Sequence, residues 1–233
     1  MFRGKKILCV ILARKNSKGI KNKNIQKING KPLIYFPIKA SLKSKLIDKT
    51  IFSSDSKIYQ KLALKFGAES PYIRSSKLSR DTTPSFDVIE DILLRLKKSQ
   101  IFYDIIVLLE PTSPFTESKD IDNALKIMID GKFISLVSIL ECSKYSINFQ
   151  FKKFKNNKIK ALSTKNIHKR RQDVTKTHIL DGSVYISFVS DFLKNRGFLS
   201  DKTYGYELPK WKSIEIDDEY DLMLSRMIYK LKK

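Results

Sequence analysis

Three apolar runs of strand length mark the first half of the chain: Lys6–Ala13 (KILCVILA), Lys49–Ser53 (KTIFS) and Tyr103–Leu109 (YDIIVLL). Such runs suit a strand covered on both faces, the situation of a parallel sheet between helices. Segments of helical period follow them. Pro32 opens PLIYFPIKASLKSK, KIYQKLALKF is closed by Gly67, Ser85–Leu96 repeats apolar residues at Phe86, Ile89, Ile92, Leu93 and Leu96, and 117–130 is a further helix. Phe133–Leu140 adds a strand. The alternation predicts an α/β protein with a mostly parallel, doubly wound sheet. From Glu141 to Arg171 the pattern gives way to a Lys- and Asn-rich stretch, read as an inserted arm. Order returns with the strand Gly182–Phe188, a short helix at 191–196, the strand-like KSIEID at 212–217 and a terminal helix over Asp218–Lys232. With 42% hydrophobic residues in 233, one core is expected, so 1–233 is read as a single domain carrying the arm 141–171.

Ligands of doubly wound sheets bind beyond the carboxyl ends of the strands, which places 14–24, 53–55 and 110–114 along one edge. The first of these, ARKNSKGIKNKN, gathers Arg14, Lys15, Lys18, Lys21 and Lys23 around Ser17 and Gly19, a composition suited to a polyphosphate. It is neither a GxxxxGK[ST] loop nor a GxGxxG fingerprint. Near the other end, SIEIDDE sets Glu215 and Asp217 two residues apart, so in a strand both carboxylates share a face. Such a pair beside phosphates suits Mg²⁺, which takes one or two protein carboxylates and fills its shell with water and phosphate oxygens. The same residues also read as a helix start, with Asp217 or Asp218 as N-cap. Asp55 has two readings as well, at the nucleotide edge or as a helix cap.

Lys and Arg outnumber Asp and Glu by 46 to 24, and the net charge of +22 attracts anions without choosing among them. The basic residues are spread along the chain. Cys9 and Cys142 are too few for a disulfide framework and are read as packing residues. Without a long apolar run or a leader-like start, the chain is expected to be soluble, intracellular and free of membrane association.

Taken in order, ILARKNSKGIKNKNI, NGKPLI, SSDSKI, FGAE, RSSKLSRDTTPS, LLEPTSPF, DGSVYI and SIEIDDEYDL resemble the motifs of the acylneuraminate cytidylyltransferases, the CMP-sialic acid synthetases. The resemblance spans nearly the whole chain. It implies a Rossmann-like nucleotidyltransferase fold, a cytoplasmic homodimer joined through the arm, and no nucleic-acid partner. It also implies a reaction in which the anomeric hydroxyl of a 2-keto-3-deoxy sugar acid attacks the α-phosphate of CTP and releases pyrophosphate. Carried onto matching positions, Arg14, Ser17, Lys18, Lys23 and Asn24 would hold the triphosphate and ribose, and Arg74 with Thr83 and Ser85 would read the base. Glu110, Arg171, Asp181 and Tyr185 would line the sugar pocket, while Glu215 and Asp217 would hold Mg²⁺ or Mn²⁺. Arg14, Lys18, Lys23 and Asp217 are the expected catalytic set.

Departures fall mainly on the sugar side. Glu110 stands where the family usually has Gln, Asp181 where Asn commonly precedes the glycine, Ile179 where some members have a second arginine, and Glu215 where Asp is usual. Cytidylyltransferases for legionaminic acid, pseudaminic acid or Kdo are therefore the nearest alternatives. A basic nucleic-acid-binding protein is the different class, with FQFKKF at 149–154 as its aromatic and basic segment. His168 and His178 are assigned no catalytic role.

Overall fold

The apolar runs become the middle of a six-stranded sheet. The structure is a computed structural model describing residues 1–142, 146–163 and 170–232, with Arg171 described through its backbone alone. His168 thus lies outside the described residues, as do parts of the arm.

In chain order the elements are β1 (Ile7–Leu12), the hairpin β2 (Lys27–Ile28) and β3 (Lys31–Pro32), α1 (Tyr35–Lys43), β4 (Lys49–Ser53), α2 (Lys57–Phe66), α3 (Ser85–Lys98), β5 (Ile105–Leu109) and α4 (Ser118–Asp130). There follow β6 (Ser135–Glu141), the small hairpin β7 (Phe151–Lys153) and β8 (Ile159–Ala161), β9 (His178–Phe188), α5 (Val189–Asn195), β10 (Thr203–Glu207) and α6 (Glu219–Leu231). The sheet order is β10-β6-β9-β5-β1-β4, with β9 antiparallel to β5 and β6 and the other pairings parallel.

Strand alternation divides the core between the two faces. Ile7, Cys9, Ile11, Ile105, Val107 and Leu109 pack with α1, α2 and α4 residues such as Ile38, Ala63 and Leu125. Leu8, Val10, Ile106 and Leu108 pack with Ile89 and Ile92 of α3 and Phe192 of α5. Both faces are covered, as the uninterrupted apolar runs require.

A third, smaller cluster joins Ile20, Ile28, Leu33, Ile216 and Leu222. Ile20 is the one apolar residue of the basic loop's Arg14–Asn24 stretch, and Ile216 lies between Glu215 and Asp217. Burying each stabilises the contact by roughly 1.5–3 kcal/mol, enough to hold loop and acidic segment together although they are far apart in sequence.

Several boundaries differ from the sequence reading. Pro32 lies in β3, and α1 begins at Tyr35, which puts Pro37 in its first turn, where a missing N–H costs no helical hydrogen bond. Segment 212–217 forms no strand and joins no sheet, and Lys212 lies in a turn with Pro209. Its backbone is held at Ile216, whose N–H donates to Thr112 O at 2.9 Å. The arm is longer than 141–171: β6 runs to Glu141, which pairs with His178, and the excursion between them is closed by Cys142 N–H donating to Thr177 O at 2.8 Å. Cys9 and Cys142 are both buried and unpaired, and burial pushes the Cys9 thiol up.

Candidate active site

A cleft of about 590 Å³ opens beyond the carboxyl ends of β1 and β5. Its walls include Arg14, Ser17, Lys18, Lys23, Asn24, Arg74, Thr83, Ser85, Glu110, Glu215 and Asp217, so the structure brings together most of the residues expected from sequence.

The basic loop is held in shape by its own chain and by the next strand end. Asn24 Nδ2 donates to Arg14 O at 3.0 Å, and Asp55 Oδ1 accepts the Lys15 N–H at 2.7 Å. Asp55 is therefore a clamp on the first loop, and the cap of α2 is Ser56, whose hydroxyl accepts from Tyr59 N–H. Gly19 is fixed by crowding: a Cβ there would lie 2.1 Å from the Asp217 carbonyl oxygen, so only glycine lets the loop reach the acidic segment.

On the facing wall, Asp218 is the N-cap of α6 in a reciprocal capping box with Asp221. Capping thus falls to Asp218 and leaves the Asp217 carboxylate in the cleft, where Lys23 Nζ donates to its Oδ1 at 3.0 Å. Glu215 stands over Gly182, where a Cβ would come within 2.9 Å of its carboxyl carbon. Burial and the neighbouring Asp217 charge raise its pKa.

Arg74 is buried, its Nε donating to Ser79 Oγ at 3.1 Å. Burial lowers its pKa, against the pull of Asp55. Thr83 and Ser85 lie at the turn into α3 on the same side.

Glu110 lies at the end of β5 among charges of both signs. Burial and Glu215 push its carboxyl up to about 7, while Lys23 and Arg74 pull the other way. Tyr185, opposite Leu108 in the neighbouring strand, feels Glu110 after burial among the causes that keep its hydroxyl protonated.

Asp181 does not line the cleft. It is 3% exposed, with Oδ1 accepting from Ser138 Oγ and from Ser183 N–H, so it braces β6 against β9 behind Glu215. Tyr185 likewise stands beside the cleft wall rather than in it, and the Arg171 side chain lies outside the described residues.

Two charged residues escaped the sequence reading. Asp81 lies in the cleft, paired with Arg14 and, at 3.4 Å, with Lys18. Its place in the SRDTTPS stretch beside a basic loop was the available signal. Lys212 is buried, its Nζ reaching Glu117 at 2.7 Å and Asp120 at 2.8 Å, which ties the acidic segment to the start of α4. Burial opposes its charge, but the two carboxylates outweigh it and raise the pKa. No pattern in the sequence announces a pairing across some 90 residues.

The set offers paired hard oxygens opposite several cations. Among the described residues no group of three or more His, Cys, Asp or Glu is arranged to hold a metal.

Comparison with known proteins shows the family and the fold. The family model described as cytidylyltransferase matches residues 8–188. The CMP-N,N'-diacetyllegionaminic acid synthase of Legionella pneumophila is 32% identical over 231 residues, covering 97% of each chain. The pseudaminic acid cytidylyltransferase of Campylobacter jejuni is 30% identical, again over 97% of each. An N-acylneuraminate cytidylyltransferase of Streptococcus agalactiae is 31% identical over 94% of this chain but 52% of its own length, so this chain spans about half of that relative. Among solved structures, a CMP:2-keto-3-deoxy-manno-octonic acid synthetase complexed with CTP superposes with a TM-score of 0.70 over 98% of this chain and 100% of that one, at 15% identity, a likeness of fold.

Proposed function

The chain belongs to the cytidylyltransferase family, and from that premise we propose that it transfers CMP from CTP to the anomeric hydroxyl of a 2-keto-3-deoxy sugar acid, a sialic acid or related nonulosonic acid, with release of pyrophosphate. The observation that carries the reading is the meeting of Lys23 and Asp217 at 3.0 Å: a phosphate-type loop and a carboxylate pair form opposite walls of one cleft.

Transfer of this kind asks little covalent chemistry of the protein and much neutralisation and alignment. Arg14 and Lys18 hold the triphosphate and stabilise the charge that moves onto pyrophosphate. Lys23, near the end of this loop, reaches Asp217 and neutralises charge at the α-phosphate that the acceptor oxygen attacks. Arg74, Thr83 and Ser85 hold the base end. Glu110 faces the acceptor, with Tyr185 behind it; the anomeric oxygen of the acceptor displaces pyrophosphate from the α-phosphorus and its proton passes to solvent.

Glu215 and Asp217 would hold Mg²⁺ or Mn²⁺. When bound, the ion supplies charge neutralisation at the phosphates and lowers the pKa of an oxygen it binds. The raised pKa of Glu215 beside Asp217 marks a pair of like charges that a divalent cation relieves.

The reading includes a homodimer in the cytoplasm. What supports the dimer is the arm: Ile147, Phe151, Phe154, Ile159 and Leu162 are all exposed on and around the β7–β8 hairpin, a concentration of apolar surface that calls for a partner. No helix among the described residues is long and apolar enough to cross a membrane.

The test is pyrophosphate release from CTP, UTP and ATP with N-acetylneuraminic, legionaminic, pseudaminic and Kdo-type acids, with and without Mg²⁺. Turnover that needs CTP, a sugar acid and the metal is expected. Equal rates without any sugar acid would sink the proposal.

A further inference from the structure

A second cleft, of about 540 Å³, lies on the other side of the partition that bounds the active site. The connection from β5 to α4 contributes Glu110, Pro111 and Thr112 to the first cleft and the stretch from Pro114 to Lys119 to the second. The acidic segment is shared too, with Glu215 and Asp217 on one side and Trp211 on the other. The hydrogen bond from Ile216 N–H to Thr112 O joins the two strips of wall.

The lining of this second cleft is aromatic and cationic. Phe115 and Trp211 meet edge to face with centroids 6.1 Å apart, and Tyr35, Phe36 and Tyr229 continue the aromatic wall. Lysines 43, 119 and 232 stand around it, and among the described residues none of the three has a carboxylate partner within salt-bridge distance. The acid in the lining is Glu117, whose carboxylate already accepts from Lys212. The Trp211 ring is covered by the Lys232 ammonium at 4.0 Å from the centroid, a flexible group that a planar ligand displaces readily. Thr116, also in the wall, has a buried hydroxyl with no hydrogen-bond partner among the described residues.

Planar rings, unpaired ammonium groups and a concave volume within the usual range for small-molecule sites define a ligand with one aromatic ring and a phosphate. We propose that this second cleft binds a nucleoside monophosphate, its base against Trp211 and Phe115 and its phosphate among Lys43, Lys119 and Lys232. Because the partition is shared, an occupant of this cleft bears on the placement of Glu110, Glu215 and Asp217. The proposal rests on the second cleft's own residues and not on the reaction assigned to the first.

Trp211 is the only tryptophan of the chain, so its fluorescence reports on this cleft. The experiment titrates CMP into the full chain, excites at the red edge of the indole absorption, and runs inorganic phosphate and cytidine as separate arms. Saturable change with CMP is expected in the wild type and equally in an Arg14→Ala/Lys18→Ala variant, whose active-site cations are gone. Lys43→Glu/Lys119→Glu is expected to weaken the CMP response about tenfold or more, through lost and reversed phosphate contacts, while CTP turnover measured without added CMP stays at the wild-type value. The proposal is overturned if CMP leaves Trp211 unchanged, if the response vanishes with Arg14 and Lys18, or if charge reversal leaves it intact. A phosphate response equal to that of CMP overturns the nucleoside class. Pyrophosphate release, assayed separately, tests the active-site reading and does not depend on any of these outcomes.

Discussion

The two ends of the active-site cleft are constructed differently. The end read as the nucleotide side is made of continuous loops, Arg14–Asn24 and Arg74–Ser85, whose side chains enter one space because they follow one another along the chain. The end read as the acceptor side is made of single residues from separate elements: Glu110 at the end of β5 and Glu215 in the irregular segment before α6, with Tyr185 of β9 beside the wall. The charges differ in the same way. Cations prevail at the first end, and the second gathers carboxylates: after burial, Glu215 raises the pKa of Glu110 and Asp217 that of Glu215. A loop carries its chemistry as a run of neighbouring residues, whereas a wall of single residues from several elements carries it in the register between them.

The contrast is broken most severely at the point where the two ends meet. Asp217→Ala is expected to lower kcat about a hundredfold or more, a loss typical of a group that stabilises transition-state charge, while unfolding stays cooperative because Asp218 is the cap of α6. Steady-state kinetics with a urea melt of the same variant reads both, and a collapsed melt would return Asp217 to a structural role.

Within the nucleotide end, Arg14→Ala and Lys18→Ala are each expected to lose about tenfold to a hundredfold in kcat/KM for CTP, since a charge-assisted contact contributes about 1.5–3 kcal/mol. The KM for the sugar acid should move much less. A comparable rise in both KM values would erase the division between the ends.

At the acceptor end the handle is Glu110. Its folded pKa of about 7 lies above the ordinary 4.5, so the folded state holds the proton more tightly than the unfolded chain does. Keeping the ionised form in the cleft therefore costs stability above pH 7, and the cost disappears as the pH falls toward 4.5. Glu110→Gln is expected to stabilise the protein by about 1–2 kcal/mol at pH 8, discounted for solvent in the cleft, and by little near pH 5. Thermal melts at the two pH values check the sign. Because a carboxylate accepts but does not donate while an amide does both, the same variant should also reorder preference among the sugar acids.

The smallest effect concerns Asp81, which holds Arg14 and Lys18 where phosphate is expected. Removing that competitor with Asp81→Asn should tighten CTP binding about threefold to tenfold, in keeping with the modest strength of partly exposed ion pairs. Calorimetric titration decides, and weaker binding would make Asp81 a positioning residue for the loop.

The same division governs what the sequence made legible. The strands β1, β4 and β5 stand out because burial on both faces demands unbroken apolar runs, and the basic loop stands out because its residues are consecutive. β10 was missed: its TYGYE is a sheet edge with little apolar content, and Gly205 is there because Ile139 of β6 fills the space of a Cβ, 2.6 Å away. Glu215 and Asp217 were found by their spacing, yet the segment holding them is fixed by Ile216, Thr112 and Lys212 rather than by sheet pairing. Asp181 looked like a pocket residue because of its place in the motif, but it lies outside the cleft lining, with Oδ1 held by Ser138 and Ser183 and Oδ2 buried without a hydrogen-bond partner among the described residues. Side-chain direction within a strand and pairing across many residues are tertiary properties, and no local pattern encodes them.

The antiparallel course of β9 has a further consequence. A strand that runs against its neighbours begins at the edge where they end, so the chain leaves β6 at Glu141 and re-enters the sheet directly opposite, at His178. The described part of the excursion is closed at its base, where Cys142 N–H donates to Thr177 O. A graft of the segment 142–177 between relatives is therefore the natural unit for testing what the excursion contributes.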